Sequence, residues 1–259
     1  MLEKTKPVVG LALGGGAALG IAHIGVLEAF RDMDVPIDVI SGTSIGAFVA
    51  ALYALGVPPE RLHQLALEMD WLDVAKISIS KYGLLANTKL RKLLEKEVGE
   101  ATFADTRVPL GIVATDISNG RKVILQEGDI ATAIMASTAL PGIFAPVSVG
   151  ERMLVDGGLT ENIPISALHR LGATFTLGVD LIYKRDYGKP RNIIDVLTNA
   201  IDIAINNGNL NYLRKADALI MPNLSGYDMV KNKDVEALVR EGYTCAHLEL
   251  QKIRQLDLI

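Results

Sequence analysis

The strongest constraint on this chain lies in its first 55 residues, where apolar runs and helical patterns alternate. Val8 to Leu13 is a short apolar run that ends in glycines, the pattern of a strand buried on both faces. Gly20 to Met33 carries Ile24, Leu27, Phe30 and Met33 at helical spacing. Pro36 breaks that pattern and Ile37 to Ile40 reads as a second short strand. Ser44 to Leu55 is apolar all round, so its helix is expected to be deeply buried. Strand, helix, strand, helix in so short a stretch predicts an α/β fold on a parallel sheet with right-handed crossovers.

The remaining chain continues in the same style. Pro58-Pro59 opens a helix over 60–69, and Lys89 to Val98 forms another. Asn119-Gly120, between Leu110 to Ser118 and Arg121 to Gln126, predicts a hairpin, and a second is expected around Gly150 within Val147 to Val155. A helix over Asp129 to Thr138 is stopped by Pro141. Thr174 to Asp180 and Ala218 to Met221 are further buried strands. Asn192 to Leu213 and Asp234 to Leu256 are long helices, the second with Val235, Leu238, Val239, Ala246, Leu250 and Ile253 on one face. Residues 70–88 are apolar and aromatic without a period; a mobile lip over the acyl site is expected there, with an ordinary packed connection as the equal alternative. No repeat or linker interrupts the chain, so a single domain over residues 1–259 is expected.

Composition removes several classes of function. Hydrophobic residues are 49% and charged residues 22%, which excludes a disordered chain. Lys and Arg number 26 against 30 Asp and Glu, a net charge of −4, so there is no basic surplus for nucleic acid. The lone cysteine, Cys245, excludes an internal disulfide and a multi-cysteine zinc site and points to a reducing compartment. The longest greasy stretch, Ile45 to Val57, has 13 residues, where a spanning helix needs about 20. The opening residues lack the layout of a signal peptide. A cytoplasmic protein able to rest on a membrane surface is the expectation.

Three segments carry chemistry. Gly14-Gly15-Gly16-Ala17-Ala18-Leu19-Gly20 joins a strand to a helix, where backbone N–H groups can hold a phosphate or an oxyanion. It does not fit the dinucleotide fingerprint, because Leu19 stands sixth from Gly14 and Ala17 third from Gly15. Gly42-Thr43-Ser44-Ile45-Gly46 has the Gly-x-Ser-x-Gly form of a nucleophile elbow, with a helix N-cap as the other reading of Ser44. Asp156-Gly157-Gly158 is either a surface turn or a general base for Ser44 flanked by room for substrate. Of the four histidines, His23 sits one helical turn after the glycine loop, while His63, His169 and His247 lie in helix-like segments with no polar partner at suggestive spacing; a capping, surface or satisfied core role is the expectation for each. The order Ser44, Asp156, His169 suits an α/β-hydrolase triad, yet only two strands precede the elbow.

Together these segments resemble the three motifs of the patatin-like phospholipases. Ala136 to Pro146 resembles that family's stretch before the aspartate, and Asp156 to Pro164, with Asn162, its continuation. The likeness covers roughly residues 8–182 and is similar to small bacterial members and to the catalytic domain of neuropathy target esterase. It implies a three-layer α/β/α fold with a mainly parallel central sheet, and a Ser44–Asp156 dyad. The motif glycines are then Gly14, Gly20, Gly42, Gly46, Gly157 and Gly158, and Gly15, Gly16 and Ala17 the oxyanion donors. The implied reaction is hydrolysis of a lipid carboxylic ester, phospholipid or lysophospholipid, through an acyl-enzyme, with no cofactor and no metal. Leu19 departs from the family's usual basic residue, which removes a cation near the site. An ordinary aspartate, with pKa about 3.9, is a poor base for serine, and burial would raise it. An acyltransferase using the same dyad and a non-catalytic nucleotide- or partner-binding module are the rival readings. Oligomeric state is left open.

Overall fold

The apolar runs seen in the sequence lie side by side in one eight-stranded sheet. The computed structural model describes residues 6–68, 88–184, 187–190, 193–213, 215–227, 234–256 and 258–259. The strands are β1 (Val9–Leu13), β2 (Val39–Thr43), β3 (Leu110–Asp116), β4 (Arg121–Leu125), β5 (Val147–Val149), β6 (Arg152–Asp156), β7 (Phe175–Val179) and β8 (Ala218–Ile220). β8, β7, β1, β2 and β3 are parallel neighbours in that order; β4 and β6 pair antiparallel with β3, and β5 with β6. The helices are α1 (Ala22–Asp32), α2 (Ile45–Ala54), α3 (Pro59–Glu68), α4 (Thr88–Val98), α5 (Ile130–Ser137), α6 (Gly158–Glu161), α7 (Ile165–Arg170), α8 (Ile193–Leu213) and α9 (Val235–Gln255).

Alternation along β1 divides the core. Val9, Leu11 and Leu13 face α1, α2 and α9, while Ala12 faces Ile163 and the α7 residues Ile165 and Leu168. The result is the three-layer α/β/α arrangement. The apolar stripe of α9 is the buried one, and it packs on α1 through glycines: a Cβ on Gly25 would lie 1.9 Å from the Val239 carbonyl oxygen, and one on Gly242 1.9 Å from that of Ala22. Both expected hairpins form, with Gly120 (φ +69°) and Gly150 (φ +58°) in the left-handed conformation that glycine adopts without strain.

β2 runs three residues past the apolar stretch that marked it, to Thr43. The polar Ser41 and Thr43 are tolerated in a buried strand because their hydroxyls donate to the carbonyls of Pro164 and Glu161. At the other junction, a 3-10 turn over Ala17–Ile21 precedes α1, so the helix begins at Ala22 rather than Gly20. The lip expected over 70–88 lies outside the described residues, apart from Thr88 at the start of α4.

The sheet contains one feature that builds the site. β4 covers one edge of β3 from Ile112 to Asp116. On the opposite edge β2 pairs with β3 as far as Thr43 opposite Val113, and β6 takes over with Asp156 opposite Ala114. β2 and β6 therefore share a single lane, meeting end to end.

Candidate active site

Where that lane changes hands, Ser44 leaves β2 and Asp156 ends β6. Ser44 Oγ donates to Asp156 Oδ2 at 2.7 Å, across 112 residues of sequence. Ser44 has φ +53° and ψ −126°, a conformation that costs a side-chain-bearing residue about 1–3 kcal/mol. Ser44 stands at the N-cap position of α2, but its side chain makes no capping bond there and is turned to Asp156 instead. The surroundings hold the strained turn. Ser44 N–H donates to Ser137 Oγ at 2.8 Å, and Ser137 Oγ donates to the Val113 carbonyl at 2.6 Å. A Cβ at Gly42 would come within 2.4 Å of Ala47 Cα, and one at Gly46 within 2.2 Å of the Leu13 carbonyl oxygen. Neither position admits a side chain.

Asp156 is 4% exposed, which removes it from the class of surface turn residues. Its Oδ1 accepts Gly158 N–H at 2.8 Å, and its backbone is tied to Ala139 and to Thr115 Oγ1. Burial pushes its carboxyl up to about 6; the Gly158 and Ser44 hydrogen bonds oppose the rise, and the charge of Asp202 on α8 adds to it. At pH 7 the group is mostly ionised yet far more basic than a free aspartate.

The glycine loop lies against the serine: a Cβ on Gly15 would lie 3.2 Å from Ser44 Cβ and 2.6 Å from Asn162 Oδ1. The three N–H groups expected to hold the oxyanion are not equivalent in the structure. Gly15 N–H donates to Asn162 Oδ1 at 3.1 Å and is not a free donor. Gly14 N–H is likewise engaged, by the Val179 carbonyl. The N–H groups of Gly16 and Ala17 have no protein acceptor among the described residues, and Ala17 (φ +49°) bends the chain there. Gly20 packs against the Ile45 side chain, Gly157 against the Val113 carbonyl and Gly158 against Ile205. Leu19 is buried at 2% exposure, so the departure from a basic residue puts an apolar side chain into the core.

No histidine bonds to either member of the Ser44–Asp156 pair among the described residues. His23 is fully buried, its Nε2 donating to the Gly14 carbonyl at 2.8 Å, and burial lowers its pKa to about 4, so it stays neutral. His63 lies between Glu28 and Glu236, His247 bonds Gln251 and stacks on Tyr243, and His169 is exposed. Sequence reasoning gave no role to Ser137 or Asn162. Their positions inside the segments that carry the family resemblance were the available sign. Among the described residues no group of three or more His, Cys, Asp or Glu side chains is arranged to hold a metal ion.

A family model described as patatin-like phospholipase matches residues 11–169. An uncharacterised NTE family protein of Mycobacterium bovis is 36% identical over 69% of this chain and 50% of its own. The lysophospholipase NTE1 of Debaryomyces hansenii is 31% identical over 73% of this chain but 13% of its own. The chain thus spans about half the length of the mycobacterial relative and a small part of the yeast one. The crystal structure of VipD from Legionella pneumophila shares the fold, with TM-score 0.57 and 15% identity over 96% of this chain and 67% of that one.

Proposed function

The chain belongs to the patatin-like phospholipase family, and from that premise we propose that it is a serine hydrolase of lipid carboxylic esters, phospholipid or lysophospholipid, working as one catalytic unit. The observation that carries the reading is the 2.7 Å hydrogen bond from Ser44 Oγ to a buried carboxylate whose pKa stands at about 6. Ser44 Oγ attacks the ester carbonyl as its proton passes to Asp156 Oδ2. The carbonyl oxygen becomes an oxyanion held by the free N–H groups of Gly16 and Ala17. Asp156 returns the proton to the departing alcohol, leaving an acyl-serine. Water then attacks, Asp156 takes its proton, and collapse releases the fatty acid and restores Ser44.

In this scheme Asn162 and His23 position the loop without touching substrate: one fixes Gly15 N–H, the other the Gly14 carbonyl. Lysophospholipid is supported by the name of the yeast relative. Such substrates reside in membranes, so the proposal includes work at a lipid surface; no helix among the described residues is long and apolar enough to cross one.

The test is reaction with a fluorophosphonate followed by peptide mapping, with release of fatty acid from lysophospholipid measured in parallel. Ser44 is the expected labelled residue, and Ser44→Ala is expected to lose both labelling and hydrolysis while remaining folded. Labelling of another serine together with a fully active Ser44→Ala variant would refute the proposal.

A further inference from the structure

Helix α8 turns its apolar side to solvent. Ile193 is 69% exposed, Val196 46%, Leu197 45% and Ile203 43%, and Ala200 and Ala204 are exposed with them. At 100° per residue these six positions fall within about 120° of the helix circumference, with no charged residue among them. A helix of a globular protein ordinarily buries such a stripe. Here the inward side carries instead Ile205, packed on Gly158 two residues from Asp156, and Asp202, whose charge reaches Asp156. Leu197 borders Gly142 in the stretch that follows α5. The outward stripe therefore sits on the element that flanks the Ser44–Asp156 pair.

Charge adds a second, independent observation. The segment 184–191 leading into α8 contains Lys184, Arg185, Lys189 and Arg191 against Asp186 alone, in a chain whose net charge is −4. Lys184 and Lys189 are exposed. Aliphatic side chains without aromatic or arginine anchors are a poor core for a protein interface. The same aliphatic stripe, preceded by the exposed Lys184 and Lys189, matches a helix lying in the plane of an anionic membrane surface.

We propose that the outward face of α8, with the exposed Lys184 and Lys189 that precede it, docks the protein on an anionic lipid bilayer. Ile193, Val196, Leu197 and Ile203 enter the boundary between headgroups and acyl chains, while Lys184 and Lys189 meet the headgroups. This rests on the reading of the chain as a lipid ester hydrolase and assigns that activity its surface.

The experiment is co-sedimentation with vesicles of phosphatidylcholine, with and without phosphatidylglycerol, alongside hydrolysis of vesicle lipid and of a soluble short-chain ester. Ile193→Gln/Val196→Gln/Ile203→Gln is expected to weaken vesicle binding by about tenfold or more. Hydrolysis of vesicle lipid should fall in step, and the rate on the soluble ester should not change. Lys184→Gln/Lys189→Gln is expected to lower binding by about tenfold on phosphatidylglycerol vesicles and to leave it unchanged on phosphatidylcholine alone. Ile193→Gln by itself, at the most exposed position, repeats the binding measurement with least risk to the fold. Wild-type partitioning of the triple and single variants overturns the proposal. So does a wild-type dimer that the triple variant converts to monomer with partitioning unchanged, which would make the face a contact between copies. Binding that depends on α8 in a protein that cleaves neither ester would uphold the docking surface and remove the hydrolase reading.

Discussion

Replacing Asp156 by Asn is expected to remove activity and at the same time stabilise the protein above pH 6. The fold holds this carboxyl at a pKa of about 6, against an ordinary value of 3.8, because it is buried. Below about pH 4 both folded and unfolded chains carry the proton, and burial of a charge costs nothing. As pH rises from about 4 to 6 the unfolded chain gives up its proton first, and folded stability falls; above pH 6 the loss is complete, at about 3 kcal/mol. An asparagine never ionises and escapes that loss. It also suits the position: its Oδ1 can accept the Gly158 N–H while its Nδ2 donates to Ser44 Oγ, the two contacts Asp156 makes now. Weaker neutral hydrogen bonds would offset about 1 kcal/mol, leaving the variant about 2 kcal/mol more stable at pH 8, or about 4–8 °C in Tm. Urea unfolding of both proteins, followed by circular dichroism at pH 4 and pH 8, measures this directly. The advantage of the variant should appear at pH 8 and vanish or reverse at pH 4. A stability difference that is the same at both pH values, or a variant weaker at pH 8 than at pH 4 relative to wild type, would show that the folded-state pKa is not raised and would refute the reasoning.

The same group should govern the pH profile of the proposed hydrolysis. kcat/KM on a soluble ester is expected to rise tenfold per pH unit below a midpoint near 6 and level off above it, and Asp202→Asn should move that midpoint to lower pH by removing a repelling charge; a midpoint that Asp202→Asn leaves in place would count against that role. Asn162→Leu leaves Gly15 N–H without its acceptor, and should lower kcat by about tenfold to a hundredfold with little change in KM. An unaltered kcat would take Asn162 out of the positioning set.

Much of this molecule was legible locally. The alternation of strand and helix, the turn residues of both hairpins and the buried stripe of α9 are periodic or conformational properties of short stretches, and they appear in the fold where the sequence put them. The glycines at 42 and 46 announced a tight strand-to-helix junction for the same reason, since only a missing Cβ permits the close approaches found there.

What tertiary structure alone decided is how separated stretches meet. Nothing near Asp156 in sequence says that β6 will occupy the lane that β2 vacates, so the 2.7 Å contact with Ser44 could be inferred only by resemblance. The burial that raises the Asp156 pKa, and the engagement of Gly15 by Asn162 across 147 residues, follow from the same non-local pairing. α8 shows the limit most plainly. Its spacing tells which apolar residues share a face, because that depends on the 3.6-residue turn. Whether the face turns inward or outward depends on what packs against the helix, and there the Ile205 contact with Gly158 fixes the orientation and leaves the aliphatic stripe in solvent.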